Sequence, residues 1–174
     1  QLTAAAAVSL VRAIRQSTGI RAGIKWPNDI QIKGRKVAGI LTEMSAEIDH
    51  VRHVILGIGI DVNQTTSDFT GELSSTATSL KLAFGKAVDR AQLAEHILRE
   101  LDADYDRILN RQFPVIAEEW AAHCTTIGKQ VIVDVGPRRI SGRAEALDES
   151  GALLVRTQHG RMERVIGGDV TLTK

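Results

Sequence analysis

Residues 20–41, IRAGIKWPNDIQIKGRKVAGIL, contain three short apolar segments separated by two turn signals. Pro27-Asn28-Asp29 interrupts the first segment, and Lys33-Gly34-Arg35 separates the second from the third. Alternating apolar and polar residues are typical of a half-buried strand, and a glycine between two such runs favours a hairpin turn. The stretch therefore predicts three consecutive antiparallel strands.

The segments that follow extend this pattern. Residues 51–62, VRHVILGIGIDV, form a long apolar run rich in β-branched residues, which predicts a fourth strand. The polar residues 45–49 precede that run and indicate a further turn. Four strands in series with tight turns favour an antiparallel meander over a strand–helix–strand unit.

Helices are predicted before and after these strands. Residues 2–16 carry alanine and valine at helical spacing and predict an amphipathic helix. Residues 63–76 are polar and rich in turn formers, so they indicate a surface loop. Asp89 is a favourable N-cap for a helix whose apolar residues recur every three or four positions, and Pro114 suits the first turn of another helix.

The last part of the chain has a different character. Residues 127–174 show no helical period, and their apolar segments are short and separated by turns that contain glycine. Strands are predicted over residues 131–135, 140–147, 152–156, 162–166 and 170–172. Five strands in so short a stretch suit a small barrel. We therefore expect an α+β fold: a largely antiparallel mixed sheet with helices over residues 1–126, then a small all-β barrel over residues 127–174.

Composition narrows the classes of protein to consider. The 174 residues suffice for one large domain, or for one domain with a small module. A net charge of +1 provides no basic field, so charge does not support nonspecific nucleic-acid binding. No apolar run has the length of a bilayer span, and no membrane association is expected. The single cysteine, Cys124, cannot form an internal disulfide and fits a reducing compartment such as the cytoplasm.

Two groups of residues, a pair of glycines and the histidines, have only part of the pattern of a known ligand site. Gly57-Ile58-Gly59 resembles the start of a dinucleotide fingerprint, but residue 62 is valine and a polar loop follows, which excludes that interpretation. Glycines inside a strand allow either close packing or the close approach of a ligand, and both explanations stay open. The five histidines lack the spacing of metal ligands, so no metal site is predicted from them.

Polar residues are concentrated at the two turns of the first hairpin. Lys25, Asn28, Asp29, Arg35 and Lys36 all lie in or beside these turns. Cations on both sides of an amide and a carboxylate suit an anionic ligand, accompanied by a magnesium ion. The alternative is that each of these side chains is a solvated strand end.

Several of these motifs together resemble the biotin protein ligase family. They are KWPND at residues 25–29, KVAGIL at residues 36–41 and GIGI at residues 57–60 followed by Asn63. The segment ATSL at residues 77–80 and Gly167-Gly168-Asp169 agree with the same family. Their order and spacing cover nearly the whole chain. The resemblance implies an incomplete catalytic sheet similar to that of class II synthetases over residues 1–126, followed by an SH3-like barrel over residues 127–174.

The resemblance also implies a reaction and its participants. Biotin and ATP, with Mg²⁺, give biotinyl-5′-adenylate and pyrophosphate, and a lysine of a biotin carboxyl carrier protein then accepts the biotin. The position matching Lys36 would bind the biotin carboxyl group and stabilise the adenylation transition state. Gly39 would let the backbone approach biotin. Four positions would serve the ATP and adenylate end: Asn28, Asp29, Gly57 and Gly59.

One departure from the family pattern concerns the nucleotide. Where many members carry an asparagine that contacts adenine, this chain has Asp61. A carboxylate accepts a hydrogen bond from the adenine amino group but cannot donate one to a ring nitrogen. Either Asn63 takes that role or nucleotide binding is weaker.

A second departure concerns completeness. The G-R-G-R-x-G loop that closes over biotin and the adenylate in this family is not found in these residues. We therefore expect the chain to be the C-terminal portion of such a ligase, inactive alone, with a possible homodimer and with DNA binding only if a further N-terminal domain exists. The alternative is a non-catalytic paralogue or binding module that needs an N-terminal half. An RNA-associated barrel protein is disfavoured by the near-neutral charge and few aromatic residues.

Overall fold

The computed structural model describes residues 1–47 and 51–172, and these form two antiparallel sheets and five helices. The helices are α1 (Leu2–Thr18), α2 (Leu73–Thr76), α3 (Leu80–Phe84), α4 (Arg90–Leu109) and α5 (Phe113–His123). The strands of the first sheet are β1 (Gly23–Lys25), β2 (Asp29–Ile32), β3 (Arg35–Ala46) and β4 (Val51–Ile60). Those of the second are β5 (Gln130–Val135), β6 (Arg138–Leu147), β7 (Leu153–Thr157), β8 (Met162–Val165) and β9 (Asp169–Leu172). The predicted α+β class is confirmed.

The first sheet is the meander expected from the sequence. Its strands lie in the order β1-β2-β3-β4, and each neighbouring pair is antiparallel. Lys33 and Gly34 connect β2 to β3 with φ angles of 51° and 79°. Positive φ at both central residues is the geometry of a tight hairpin turn whose twist matches the strands. A register shift between Ile30 and Gln31 follows, and it places Asp29 opposite Gly39.

Some predicted boundaries differ from those observed. The first apolar segment of the sequence predicts a strand over residues 20–26, but β1 is limited to the three residues that pair with β2. The loop predicted over residues 63–76 contains a 3-10 turn at Thr66–Asp68 and the short helix α2. The polar turn predicted over residues 45–49 begins within β3, and part of it lies outside the described residues.

One face of the first sheet is covered by helices and the other is open. Helix α1 packs on α4, α5 and β3, and its alanine-rich surface permits close approach. Ala38 and Ile40 of β3 are buried on this side, whereas Leu41 is 61% exposed on the other. Alternation along a strand sends successive side chains to opposite faces. The open face is therefore lined by Gly39 and Leu41 together with alternate residues of β4.

A buried charge cluster ties the helices together. Asp104 of α4 has no exposed surface, and its carboxylate accepts a hydrogen bond from Ser9 Oγ at 2.8 Å. Arg12 of α1 donates to the same carboxylate at 3.2 Å, and Arg107 donates to it at 2.5 Å. Arg12 also forms two hydrogen bonds with Glu119 of α5. A buried carboxylate with this many donors is satisfied, so the cluster fixes the three helices relative to one another.

The second sheet has the strand order β8-β7-β6-β5-β9, with all neighbouring pairs antiparallel. All five strands predicted from the sequence are present. Backbone hydrogen bonds attach the chain that leads to this sheet to β1: the Thr125 amide donates to the Ile24 carbonyl at 2.7 Å. The Trp26 amide donates to Thr126 Oγ1 at 3.2 Å. The division into domains near residue 126 stays a prediction.

Candidate functional site

A shallow depression of about 510 Å³ lies on the open face of the first sheet. It is lined by Asn28, Lys36, Gly39, Ile40, Leu41, Gly57, Ile58 and Gly59. Five of these residues were candidates from the sequence, and they come from the β1–β2 turn, β3 and β4. The meander thus brings together residues that are separated along the chain.

Lys36 forms an ion pair across the sheet. Its Nζ lies 2.5 Å from Asp29 Oδ1, and the two side chains are 48% and 22% exposed. Asp29 begins β2 opposite Gly39 of β3, so the Lys36 side chain must cross the backbone at Gly39 to reach it. A Cβ built on Gly39 would lie 3.2 Å from both Cε and Nζ of Lys36. The lysine therefore lies over the glycine.

Asn28 holds the preceding turn against β3. Its Nδ2 donates to the Ile40 carbonyl at 2.8 Å, and the Ile40 amide donates to the Asn28 carbonyl at 3.0 Å. Its Oδ1 has no partner among the described residues. Trp26, which precedes the turn, is 2% exposed, and its backbone amide is bonded to Thr126, so the chain entering the turn is held in the core. The turn is thus fixed on both sides and presents one amide oxygen.

The two glycines of β4 face the same depression. Gly59 pairs with Gly39, and Gly57 pairs with Leu41. A Cβ on Gly57 would come no closer than 3.6 Å to another atom, and one on Gly59 no closer than 4.0 Å. These are ordinary contacts, so packing among the described residues does not require glycine at either position. Of the two explanations left open by the sequence, the close approach of a ligand is favoured.

Asp61 lies just beyond the end of β4. Its amide donates to the Val37 carbonyl at 2.9 Å, which anchors it beside the strand that carries Lys36. Burial raises the pKa of Asp61, and the positive charge of Lys36 lowers it in part. Asp61 is therefore a second carboxylate within electrostatic range of the Lys36 ammonium.

Asn63 has a different environment. Its Nδ2 donates to the Val88 carbonyl at 2.9 Å, and its Oδ1 accepts a hydrogen bond from the Val88 amide at 2.9 Å. The side chain therefore joins the end of the first sheet to the segment before α4. A contact with adenine stays a prediction for Asn63, but its amide group already has this structural use.

The segment at residues 77–80, which the sequence marked only as a family motif, supports Lys36 from its other side. The Thr78 amide donates to the Lys36 carbonyl at 2.8 Å, and Ala77 pairs with Lys36 in an isolated parallel bridge. Ser79 caps α3 by accepting a hydrogen bond from the Leu82 amide at 3.1 Å. The N-cap serine is a recognisable signal, but nothing local indicates that this segment pairs with Lys36.

Other candidates lie elsewhere. Lys25 lines a separate depression that includes Gln31 and Lys129, so the structure does not bring it to Lys36. Arg35 is exposed at the hairpin turn. No group of three or more histidine, cysteine, aspartate or glutamate side chains within residues 1–47 and 51–172 could hold a metal ion. The same residues contain no helix long and apolar enough to cross a bilayer.

Comparison with known families matches two parts of the chain. The family described as "Biotin/lipoate A/B protein ligase family" matches residues 1–61, which include Lys36 and the other lining residues of the depression. The one described as "Biotin protein ligase C terminal domain" matches residues 126–172.

Curated relatives and solved structures agree with these matches. The bifunctional ligase/repressor BirA of Bacillus subtilis (strain 168) is 42% identical over 99% of this chain and 53% of its own length. The biotin–[acetyl-CoA-carboxylase] ligase of Paracoccus denitrificans is 33% identical over 92% of this chain and 68% of its own length. The chain thus spans about half the length of the first of these relatives. The structure of biotin protein ligase from Aquifex aeolicus in complex with biotin and ATP has a TM-score of 0.83 at 26% identity, covering 100% of this chain and 71% of that one.

Proposed function

This chain belongs to the biotin protein ligase family, and on that premise we propose that it supplies one wall of the site in which biotin is joined to AMP and then to a carrier protein. The observation that supports this most directly is the Lys36 ammonium, held over Gly39 beside a depression bordered by bare glycines. A cation next to accessible backbone suits a flat ligand that carries an acid group.

The chemistry needs such a cation. In the first step a carboxylate oxygen of biotin attacks the α-phosphorus of ATP, a new P–O bond forms, and pyrophosphate leaves with the electrons of the broken bond. Two anionic groups must approach each other, and the transition state concentrates negative charge between them. An ammonium fixed at that point stabilises the transition state more than the separated reactants. Lys36 is the residue we propose for this role.

In the second step, the transfer of biotin to the carrier protein, Lys36 has a smaller role. The neutral amine of a carrier lysine attacks the acyl carbon of biotinyl-5′-adenylate and releases one proton to solvent. The amide bond forms as the acyl–oxygen bond breaks, and AMP leaves with those electrons on its phosphate oxygen. The positive charge of Lys36 again stabilises the developing charge on the leaving phosphate.

Asn28 and Asp29 suit the phosphate end of the nucleotide. Mg²⁺ uses few protein oxygens and keeps waters and substrate phosphates as its other ligands. The Oδ1 of Asn28 and the second carboxylate oxygen of Asp29 provide donors of the right kind, so these two residues would hold a magnesium ion that arrives with ATP. The ion would supply neutralisation of the phosphate charge.

Asp61 is the residue that we propose to contact the adenine amino group. It is anchored beside Lys36, and its carboxylate oxygens are acceptors. Gly57 and Gly59 would line the adenylate pocket, and Gly39 would lie beside biotin. Because an aspartate cannot donate to a ring nitrogen, we expect weaker ATP binding than an asparagine at this position would give.

The remaining participants follow from the family. The partner would be a biotin carboxyl carrier protein, and the expected compartment is the cytoplasm. We propose that the loop that closes over biotin is contributed by residues outside these 174, consistent with the chain's spanning about half of its relatives' length. Residues 127–174 would form a separate small domain. Homodimerisation is a further proposal, and DNA binding would require another domain.

A test of this function uses biotin-dependent exchange between pyrophosphate and ATP, measured on a ligase that contains this chain together with the G-R-G-R-x-G loop proposed above. Lys36→Ala should lower the exchange rate by about two to three orders of magnitude, since removing one donor aimed at transition-state charge has effects of that size. Lys25→Ala is the matched control, because Lys25 lies at the end of β1 in the same sheet but lines a different depression.

Two results of the exchange assay would contradict these proposals. No biotin-dependent exchange in the wild-type protein would favour a non-catalytic paralogue or binding module. Equal exchange rates for Lys36→Ala and Lys25→Ala would remove Lys36 from the proposed role while leaving the activity in place.

A further inference from the structure

The backbone conformation of Gly39 does not by itself require glycine. Gly39 lies in β3 and is absent from the nine glycines whose φ is positive. A residue with a side chain would therefore adopt this backbone without strain. A side chain at position 39 is instead limited by the Lys36 side chain that crosses it. The atoms nearest to a Cβ on Gly39 would be Cε and Nζ of Lys36, each at 3.2 Å.

We propose that Gly39 is a positioning residue for Lys36. The missing side chain leaves the space in which the end of the Lys36 side chain crosses β3, so that its ammonium meets Asp29. Gly39 and Asp29 together form a seat that holds the cation before any ligand arrives. This inference assigns Gly39 an intramolecular role in addition to backbone approach to biotin, and only its catalytic consequence rests on the proposed function.

The hairpin register explains why these three residues form the seat. Asp29 and Gly39 are paired across β2 and β3, and Lys36 precedes Gly39 by three residues on the same strand. The register shift beside Ile30 lets Lys36 pair with Gln31 and leaves its long side chain on the side of Gly39. Asp29 Oδ1 lies 3.9 Å from the position of a Gly39 Cβ, so both charged groups border the same gap.

Holding Lys36 in advance has a mechanistic use. A free lysine side chain samples many rotamers, and fixing it on ligand binding costs conformational entropy. An ammonium has three donors. It can keep one hydrogen bond to Asp29 and direct the other two to the biotin carboxylate and the α-phosphate.

The seat can be tested on the 174-residue chain without biotin or ATP. The measurement is the rate at which each lysine amine is reductively methylated, resolved by mass spectrometry, with Lys25 as an internal standard. Releasing the ammonium from Asp29 should make Lys36 react about 2- to 5-fold faster in Gly39→Ala, a change in keeping with a partly exposed ion pair. Circular dichroism verifies that each variant is folded.

Gly59→Ala is the matched control. Gly59 faces Gly39 on the neighbouring strand, but a Cβ there would lie 4.0 Å from its nearest contact, the Gly39 carbonyl oxygen, and no Lys36 atom would be within that distance. Its Lys36 methylation rate should equal that of the wild type. A rate in Gly39→Ala that also equals the wild type would overturn the proposal.

A double variant separates the seat from a general loosening of the sheet. Asp29→Asn should accelerate Lys36 methylation as much as Gly39→Ala does, and combining the two should add nothing further, because both remove one interaction. Additive acceleration would show that Gly39 and Asp29 act on Lys36 independently and would overturn the shared seat.

The catalytic consequence is read from kinetics of the longer ligase. A positioning role predicts that Gly39→Ala lowers kcat for adenylation more than it raises KM for biotin. A higher KM for biotin with unchanged kcat and unchanged Lys36 reactivity would instead leave Gly39 with backbone approach alone. Failure of the exchange assay would overturn the proposed function, whereas failure of the methylation assay would overturn the seat, so the two outcomes are distinct.

Discussion

Asp61 illustrates how single residues of the site interact through charge. Burial raises the pKa of its carboxyl group, while the nearby Lys36 opposes part of that effect. A raised pKa means that the folded chain holds the ionised form less favourably than the unfolded chain does. Asp61 therefore lowers stability at neutral pH.

Replacing Asp61 by asparagine should stabilise the fold at neutral pH. The gain should diminish as the pH falls through the folded-state pKa and be absent below the ordinary aspartate pKa of about 4, where both states are protonated. Urea unfolding followed by circular dichroism between pH 4 and pH 8 measures this. Asp68→Asn provides a control of opposite sign, because hydrogen bonds from Thr65 lower the pKa of Asp68. If the difference in unfolding free energy between Asp61→Asn and the wild type did not change with pH, the raised pKa of Asp61 would not be its cause.

The roles of individual residues were only partly predictable from the sequence. Lys36 and Asn28 could be identified because turn chemistry and the family motif mark them. The amide of Asn63 could not be assigned to Val88, because that contact depends on where the chain returns after a long loop. Lys25 was grouped with Lys36 on proximity in sequence, but its position on β1 directs it to another depression.

At the scale of elements, the β6–β7 turn is held by a network of hydrogen bonds around Asp148. Asp148 accepts hydrogen bonds from the Ser150 amide at 2.9 Å, Ser150 Oγ at 2.7 Å and the Ala152 amide at 2.9 Å. Arg164 of the β8 strand donates to its other oxygen at 2.5 Å. Burial alone would raise the pKa of Asp148, but these hydrogen bonds outweigh it and hold the pKa well below its usual range.

Asp148→Asn should therefore destabilise the second sheet. Hydrogen bonds to a charged acceptor are worth more than neutral ones, and at this partly exposed turn the loss should be about 1 to 2 kcal/mol at pH 7. Because the folded pKa is lowered, the stabilisation is present above the ordinary pKa of about 4 and disappears as the pH falls below it. Thermal unfolding of Asp148→Asn measures this loss of stability, with Glu149→Gln as the control. Equal losses in the two variants would contradict the proposed contribution of the hydrogen bonds to Asp148.

At the level of elements, the sequence predicted types better than lengths. The Lys33-Gly34 turn fixed the hairpin, and Asp89 begins α4 as an N-cap whose carboxylate accepts hydrogen bonds from the Ala91 and Gln92 amides. Strand β1 was predicted too long because apolar residues continue before it. A strand ends where its partner ends, and that limit is set by the sheet rather than by hydrophobicity.

For the molecule as a whole, the helical layer depends on one buried charge cluster. Asp104 is fully buried, and Arg12 connects it to Glu119. The hydrogen bond from Arg12 lowers the pKa of Glu119. Helix α1 also covers the first sheet, so the cluster supports the surface on which Lys36 and Gly39 lie.

Arg12→Met should lower the free energy of unfolding by about 3 kcal/mol, because it leaves the buried Asp104 carboxylate with fewer compensating partners. Combining it with Asp104→Leu should recover part of this loss, since the uncompensated charge is then removed. Urea titration measures both. Arg99→Met is the control: its pair with Glu95 is on the surface and should matter by less than about 0.5 kcal/mol. If Arg12→Met lost no more stability than Arg99→Met, the buried charge cluster would not stabilise the helical layer.

The overall arrangement was the least predictable level. Local patterns indicated two groups of strands and the helices between them, but nothing local connects Ser9 to Asp104 or Lys36 to Thr78. These contacts join distant parts of the sequence and depend on how the helices and sheets pack. The α+β class followed from the local patterns, whereas the similarity of the first sheet to that of class II synthetases came only from the family resemblance.

The cavity between the β1–β2 turn and α5 can be monitored by intrinsic tryptophan fluorescence. Its lining includes Trp26 and Trp120, which are the chain's two tryptophans and are 2% and 1% exposed. The turn at Ser150-Gly151 of the second sheet borders the same cavity. Both indoles should therefore emit at short wavelength in the native state, and a red shift of the intrinsic fluorescence should report water reaching the place where the two sheets meet.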